Sequence, residues 1–427
     1  MRDPRVSAMA DGMIGSEVLK IAGEIRARVA EGAEVCNLTV GDFAPSEFRV
    51  PEALAREIVA ALAAGETNYP PSDGVLPLRK AIAAFYETRL GLKYPLESIL
   101  VTGGSRPAIY AAYRAVVDPG DTVVYPAPSW NNNHYAYLSG ARGVAVVCDA
   151  ADAFLPTRAS LEEAVRGARL LALNSPLNPT GTAFTREALE GICDLVLEEN
   201  ARRGPDERPL YLLYDQVYWM LTFGATTHVD PVSLRPALAD HTIYIDGISK
   251  AFAATGVRVG WAVGPADIMA RMANFLGHVG AWAPRAEQVA TARVLADDEG
   301  VDAYLAEMKG EVYARLAALH TGLLDLRAHG LPVEVIFPMG AIYLSARFAL
   351  HGSATPAGRV LESNEDIRQY LLDAAGLAAV PFQAFGVPGE TGWFRLSVGA
   401  VSLAEIGPVL ERVGAALRAL SAEPAAV

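Results

Sequence analysis

The chain has 427 residues, too many for one ordinary hydrophobic core, so a large domain with a smaller one is expected. It is 52% hydrophobic and 20% charged, which excludes a disordered chain, and its net charge of −13 disfavours nonspecific binding to nucleic acid or to an anionic membrane. Three dispersed cysteines (Cys36, Cys148, Cys193) and seven dispersed histidines form no C-x-x-C or H-x-x-x-H pattern, so free thiols in a reducing compartment are expected and no metal site is.

Near the N-terminus, Val18, Leu19, Ile21, Ala22, Ile25 and Val29 recur at helical spacing and predict an amphipathic helix. This segment lacks the apolar core of about 7–15 residues that marks a signal peptide, and no run approaches the ~20 residues of a membrane span, so a cytoplasmic location is expected. Next, "SILVTGG" (98–104) reads as a strand and glycine turn, and "RPAIYAAYRAVV" (106–117) as a helix. "DPGDTVVYPAPSW" (118–130) reads as a turn, a strand and a proline-bounded loop. Further strands are predicted at 143–149, 170–176, 209–215, 242–247 and 258–264, with helices such as 185–201 and 265–276 between them.

This alternation predicts an α/β fold with a mostly parallel sheet of seven strands flanked by helices, and ligands beyond the strands' carboxyl ends. After about residue 290 the helices lengthen, and "AIYLSARF" and "WFRLSVG" read as strands of a smaller α+β domain. Chain ends often return to one another, so the N-terminal helix is expected to join that domain. The division is then 1–45 for the N-terminal helix and arm, 46–325 for the large domain and 326–427 for the small one. The Ala/Pro-rich tail after residue 420 is expected to fray.

The chain has five lysines (Lys20, Lys80, Lys93, Lys250, Lys309), and the rest of its 36 basic residues are arginine. Lys250 stands alone between Lys93 and Lys309, just after a short apolar run. A guanidinium keeps its proton, whereas an amine can lose one and attack an aldehyde. Lys250 is therefore a candidate for imine chemistry.

The surrounding segment "SKAFAATGVRVG" resembles the cofactor-lysine segment of class I/II pyridoxal-phosphate aminotransferases, the fold type I family that includes aspartate aminotransferase. "NYPPSDGVLPLRKAI" (68–82), "VTGGSRPAIYAAYRAVVDPGDTVVYPAPSW" (101–130), "NSPLNPTG" (174–181), "YDQVYW" (214–219) and "FRLSVG" (394–399) agree in the family's order, and the resemblance covers roughly 35–420. It implies transamination between an amino acid and a 2-oxo acid, with pyridoxal 5′-phosphate carried as an imine on Lys250, in a homodimer with shared sites.

Residue by residue, the resemblance implies that Asp215 faces the ring nitrogen, keeping it protonated. Tyr218 and Asn178 match the residues at the phenolic oxygen. Ser105, Arg106 and Arg258 match those at the phosphate, and Tyr69 the tyrosine sent to it across the dimer interface. Trp130 matches the aromatic stacked on the ring, where acyltransferases of this fold more often carry histidine. Gly41, Asn178 and Arg395 match the residues at the substrate carboxylate, for which a guanidinium fork suits a bidentate contact. Lys250, Asp215 and Tyr218 are the implied catalytic residues.

Some positions depart from the family pattern. Gly247 stands where relatives often present a serine to the phosphate, so Ser249 is expected to compensate. Gln216 replaces an acid that commonly follows the cofactor aspartate. Asn131–Asn133 are expected to cap a helix rather than line the pocket. No arginine of the dicarboxylate-specific type occurs in "GHVGAWAP" (277–284), where His278 and Trp282 point instead to aromatic or mixed side chains. The same motifs leave open a C–S lyase or an aminocyclopropane-carboxylate-synthase-like enzyme. A nicotinamide dehydrogenase is disfavoured because no G-x-G-x-x-G follows a strand.

Overall fold

A computed structural model describes residues 5–422 of the chain. Residues 423–427, most of the tail expected to fray, lie outside the described residues, while Ser421–Ala422 pair with Ser353–Ala354. The central sheet has seven strands: β1 (Ile99–Thr102), β2 (Thr122–Ala127), β3 (Arg142–Val147), β4 (Leu170–Asn174), β5 (Tyr211–Asp215), β6 (Thr242–Gly247) and β7 (Gly260–Val263). Their order is β1-β7-β6-β5-β4-β2-β3.

β7 alone runs opposite to its neighbours, pairing antiparallel with both β1 and β6. No crossover helix separates it from β6, and a parallel pairing requires one. The other pairings are parallel. Strands such as "LLALN" and "TIYIDG" read as continuous apolar runs because both faces of this sheet are covered. Alternate side chains serve opposite faces: Leu212 packs with Ile82, Tyr86 and Trp261, while Leu213 packs with Ile109, Tyr113 and Met272.

Four helices position the site or link the two parts: α1 (Glu17–Ala30), α2 (Ser105–Val116), α3 (Ala266–Val279) and α4 (Asp298–Ala328). α2 and α3 pack together on one face of the sheet. α4 is 31 residues long; Val301 and Leu305 join the core of the large sheet, whereas Val312, Leu316 and Leu319 join that of the smaller part.

The smaller part contains a second sheet of β8 (Val333–Val335), β9 (Tyr343–Phe348), β10 (Val380–Pro381) and β11 (Trp393–Ser397), in the order β10-β11-β9-β8. α1 belongs with it: Val18, Ile21 and Ile25 pack against Phe382, Phe385 and Trp393, and Glu24 pairs with Arg368. Cys36–Asn37 pair in parallel with Leu377–Ala378, tying the N-terminal arm to the C-terminal part. Leu19 and Val29, counted on the apolar face, are exposed instead.

The asparagine run differs from the expected cap. Asn131 occupies the N-cap position of the helix Asn132–Ser139 but has φ 59° and makes no side-chain capping bond. Left-handed backbone turns its side chain away from the free N–H groups, since a capping side chain needs extended backbone. Asn132 instead bonds Tyr113 and Ser129.

Candidate active site

A cavity of about 520 Å³ lies between the carboxyl ends of the central strands and the smaller part. Strand-end placement brings together residues remote in sequence: Ser105 and Arg106 after β1, Trp130 after β2, Asn178 after β4, Asp215 and Tyr218 at β5, and Lys250 after β6. Gly41, Arg258 and Arg395 complete the lining from the arm, the approach to β7 and β11.

Lys250 Nζ donates to the Gly41 carbonyl at 2.7 Å and stands 5.7 Å from the centre of the Tyr218 ring. Burial pushes its amine down to about 8, against the pull of the Asp42 carboxylate. Burial pushes the Asp215 carboxyl up to about 6, opposed by the Val217 N–H, which donates at 3.1 Å, and by Lys250. Asn174 braces the floor: its Nδ2 donates to the Asp215 carbonyl at 2.7 Å and its Oδ1 accepts from the Asn178 N–H at 2.8 Å.

Arg395 is 1% exposed and held on several sides. Its Nη1 donates to Asn178 Oδ1 at 3.2 Å and its Nη2 to the Thr39 carbonyl at 2.6 Å. The guanidinium carbon lies 4.9 Å from the Tyr343 ring and 4.8 Å from the Phe385 ring, and Nε is buried without a partner among the described residues. Such a group is planar, oriented and still short of acceptors, as a carboxylate receptor must be. A Cβ at Gly41 would lie 3.0 Å from the Tyr343 hydroxyl and 3.4 Å from Arg395 Nη1, so glycine keeps this corner open.

At the opposite end, α2 begins at Ser105 after Gly104, whose φ of 89° and missing side chain leave the first turn uncapped. Its free N–H groups and dipole make an anion site. Arg258, at φ 60°, donates from Nη2 to the Gly103 carbonyl at 2.9 Å and from Nη1 to the Thr255 carbonyl at 2.6 Å. Gly260 lets β7 approach this turn, since a Cβ there would lie 2.6 Å from the Gly104 carbonyl carbon.

The same crowding accounts for Gly247. A Cβ at 247 would lie 2.8 Å from both Gly260 Cα and the Val259 carbonyl oxygen, so serine does not fit, and Ser249 lines the cavity nearby. Gly247→Ser is expected to destabilise the fold by about 2 kcal/mol without tightening phosphate binding. Thermal unfolding and a phosphate titration check this, and a variant of unchanged stability would contradict it.

Trp130 leans on Phe385 with ring centres 6.3 Å apart, and the Arg106 guanidinium lies 5.4 Å from the Trp130 ring. Arg106 thus brings its side chain as well as its backbone to the cavity. Tyr69 does not line this cavity; it is 81% exposed and packs edge-on against Trp282 at 5.2 Å. His278 and Trp282 also lie off the cavity lining of their own chain.

Several lining residues escaped the reading of the sequence, Asn174 and three others among them. The Tyr343 hydroxyl bonds the Tyr218 hydroxyl at 2.6 Å, Asp42 acts on Lys250, and Arg26 faces the cavity from α1. Arg26 continues the helix face of Val18, Leu19 and Ala22 at i+4 to i+8 spacing, a signal that was present in the sequence. Among the described residues no cluster suited to a metal ion occurs.

Comparison with known proteins agrees with this geometry. The family model for aminotransferase class I and II matches residues 33–413. An aspartate aminotransferase of Rhizobium meliloti is 32% identical over 409 residues, covering 95% of this chain and 94% of the relative. A probable aspartate/prephenate aminotransferase of Rhizobium leguminosarum bv. phaseoli is 32% identical over 385 residues, covering 90% and 91%. The crystal structure of the Rhizobium meliloti aspartate aminotransferase superposes with a TM-score of 0.89 at 30% identity, covering 97% of this chain and 99% of that one. Aspartate aminotransferase from Thermus thermophilus, solved with maleate, gives a TM-score of 0.85 at 27% identity, covering 98% and 100%. A lysine, a carboxyl and a buried arginine around one cavity, on a chain matched to that family model from 33 to 413, make this protein a transaminase belonging to the class I and II aminotransferases.

Proposed function

We propose that the cavity binds pyridoxal 5′-phosphate and that the enzyme, as a homodimer, moves amino groups between acidic amino acids and 2-oxo acids. The observation carrying this reading is the cavity's polarity: an uncapped helix start with Arg258 at one end, Arg395 at the other, and Lys250 and Asp215 between. That donor set fits the cofactor's phosphate, ring nitrogen and aldehyde. When bound, pyridoxal phosphate supplies an aldehyde for an amine and a ring that accepts the electron pair left at the substrate's Cα.

The chain's own residues do the rest. Asp215 would keep a proton on the ring nitrogen, while Tyr218 and Asn178 would hydrogen-bond the phenolic oxygen. The first-turn N–H groups of α2, from Ser105 and Arg106, would hold the phosphate together with Arg258, and Trp130 would pack against the ring. Arg395 grips the substrate α-carboxylate beside Gly41, which fixes the direction of the Cα–H bond. With the cofactor bound, the Lys250 amine would serve as the base and acid that takes a proton from the substrate's Cα and returns it.

A second copy of the chain is supported by the exposed Tyr69 and by exposed apolar Val59, Leu62, Leu76 and Val279. Tyr69 from that copy is proposed to reach the phosphate. The free, buried thiols of Cys36, Cys148 and Cys193 suit a cytoplasmic location.

The preference for acidic substrates is supported by the relatives named as aspartate aminotransferases and by Arg26. Arg26 is exposed at the cavity and makes no ion pair or side-chain hydrogen bond among the described residues. Arg26→Ala is expected to raise KM for aspartate and 2-oxoglutarate about tenfold and to leave alanine and pyruvate unchanged. Equal effects on both substrate pairs would remove Arg26 from side-chain recognition. The function itself is tested with a panel of amino donors, with 2-oxoglutarate and pyruvate as acceptors. Release of 2-oxo acid without any acceptor would replace transamination with a lyase reaction.

A further inference from the structure

Behind the site floor lies a buried polar network that none of these roles uses. Asp246, next to last in β6, is 0% exposed. Its Oδ2 accepts from the Tyr86 hydroxyl at 3.0 Å and from Trp219 Nε1 at 2.9 Å, and its Oδ1 accepts from the Gly247 N–H at 2.7 Å. The Tyr86 hydroxyl also accepts from Trp261 Nε1 and Gln216 Nε2, each at 3.2 Å. Gln216 Oε1 faces His228 Nε2 at 3.2 Å.

The directions of these bonds are forced. Indole and amide N–H groups only donate, so Tyr86 accepts twice and its single proton goes to Asp246. Burial lowers His228 to about 4, so it is neutral and donates to Gln216. With Asp246 ionised, every proton along the chain therefore points toward it. Bonds aligned head to tail polarise one another and favour an anion at the end. Burial raises the Asp246 carboxyl to about 7, while its three donors hold it down.

The network touches both catalytic segments. Gln216 lies between Asp215 and Tyr218, Trp219 follows Tyr218, and Gly247 opens the loop to Lys250. The two segments leave adjacent strands paired with Asp215 opposite Ile245. The structure assigns Asp246 as a positioning residue that locks the segment of Asp215 and Tyr218 against the segment of Lys250. This inference rests on the cavity being the pyridoxal-phosphate site. It also gives Gln216 a purpose: an amide can donate to Tyr86 and accept from His228, whereas a carboxylate could not donate to Tyr86 and would add a second buried charge near Asp246.

Asp246→Asn tests the assignment, because an amide keeps the size but sets one N–H donor against another. Wild-type protein is first titrated with pyridoxal phosphate by fluorescence and visible absorption; absence of binding there defeats the reading of the cavity, separately from the role of Asp246. In the variant, the cofactor dissociation constant is expected to rise about tenfold and the pH midpoint of the bound cofactor's absorption to move by about one unit. In turnover, kcat is expected to fall about tenfold with KM for the amino donor within about twofold. A variant that loses only thermal stability, with absorption midpoint and cofactor affinity unchanged, overturns the assignment. If Asp246→Asn does not fold, Tyr86→Phe decides, since it cuts the link to Gln216 but keeps the ring. A shift in the same direction supports the assignment and an unchanged midpoint overturns it.

Discussion

Lys250→Arg is expected to lower transamination by about 10⁴-fold or more while leaving the fold intact. The cavity of about 520 Å³ has room for the longer side chain, and the positive charge is retained. What disappears is an amine that can shed its proton. Burial holds that amine down to about 8, so a usable fraction is neutral near pH 7, which an arginine cannot match. The same value sets a pH dependence: capture of pyridoxal phosphate by cofactor-free enzyme should accelerate as pH rises toward about 8 and then level off. Stopped-flow absorption measures both effects. A Lys250→Arg variant with the wild-type absorption band and full turnover would remove this lysine from the chemistry.

Asp215→Asn should act in opposite directions on activity and stability. Without a carboxylate facing the ring nitrogen, kcat is expected to fall about 10²- to 10³-fold. In the cofactor-free protein, the carboxyl is raised by burial from 3.8 to about 6. A raised acid contributes its stability fully below the unfolded value, near 3.8, and loses it as pH rises through about 6. Above pH 6 the folded state therefore carries a desolvated carboxylate at a cost of up to about 3 kcal/mol. Cofactor-free Asp215→Asn should then be more stable than wild type at pH 8 and nearly equal to it at pH 4. Saturating cofactor should narrow or reverse the gap, because a protonated ring nitrogen offsets the buried charge. Denaturant unfolding at the two pH values decides the matter; a less stable cofactor-free variant at pH 8 would contradict the burial argument.

Two kinds of information separate in this protein. Lys250 stood out in the sequence as a rare amine beside a short apolar strand, whereas Asp215 and Arg395 were located by resemblance to the family's motifs; the structure brings the three to one cavity. The strands were legible because a sheet covered on both faces demands uninterrupted apolar runs. By contrast, Asn131 reads as a cap in sequence, yet its left-handed backbone makes no capping bond.

The length of the chain, the alternation of strand and helix, and the order of the family's motifs were thus determined by the sequence alone. Only the tertiary structure decided that Tyr343 meets Tyr218 and that Arg26 faces the cavity from α1. The refusal of a side chain at 247 depends on Gly260, and the reach of Asp246 depends on Tyr86, Trp219 and Trp261. The reason is physical. Strand and helix patterns repeat over a few residues, and chemistry selects residue types, so both leave local marks. A contact between segments 125 or 160 residues apart leaves none until packing brings them together.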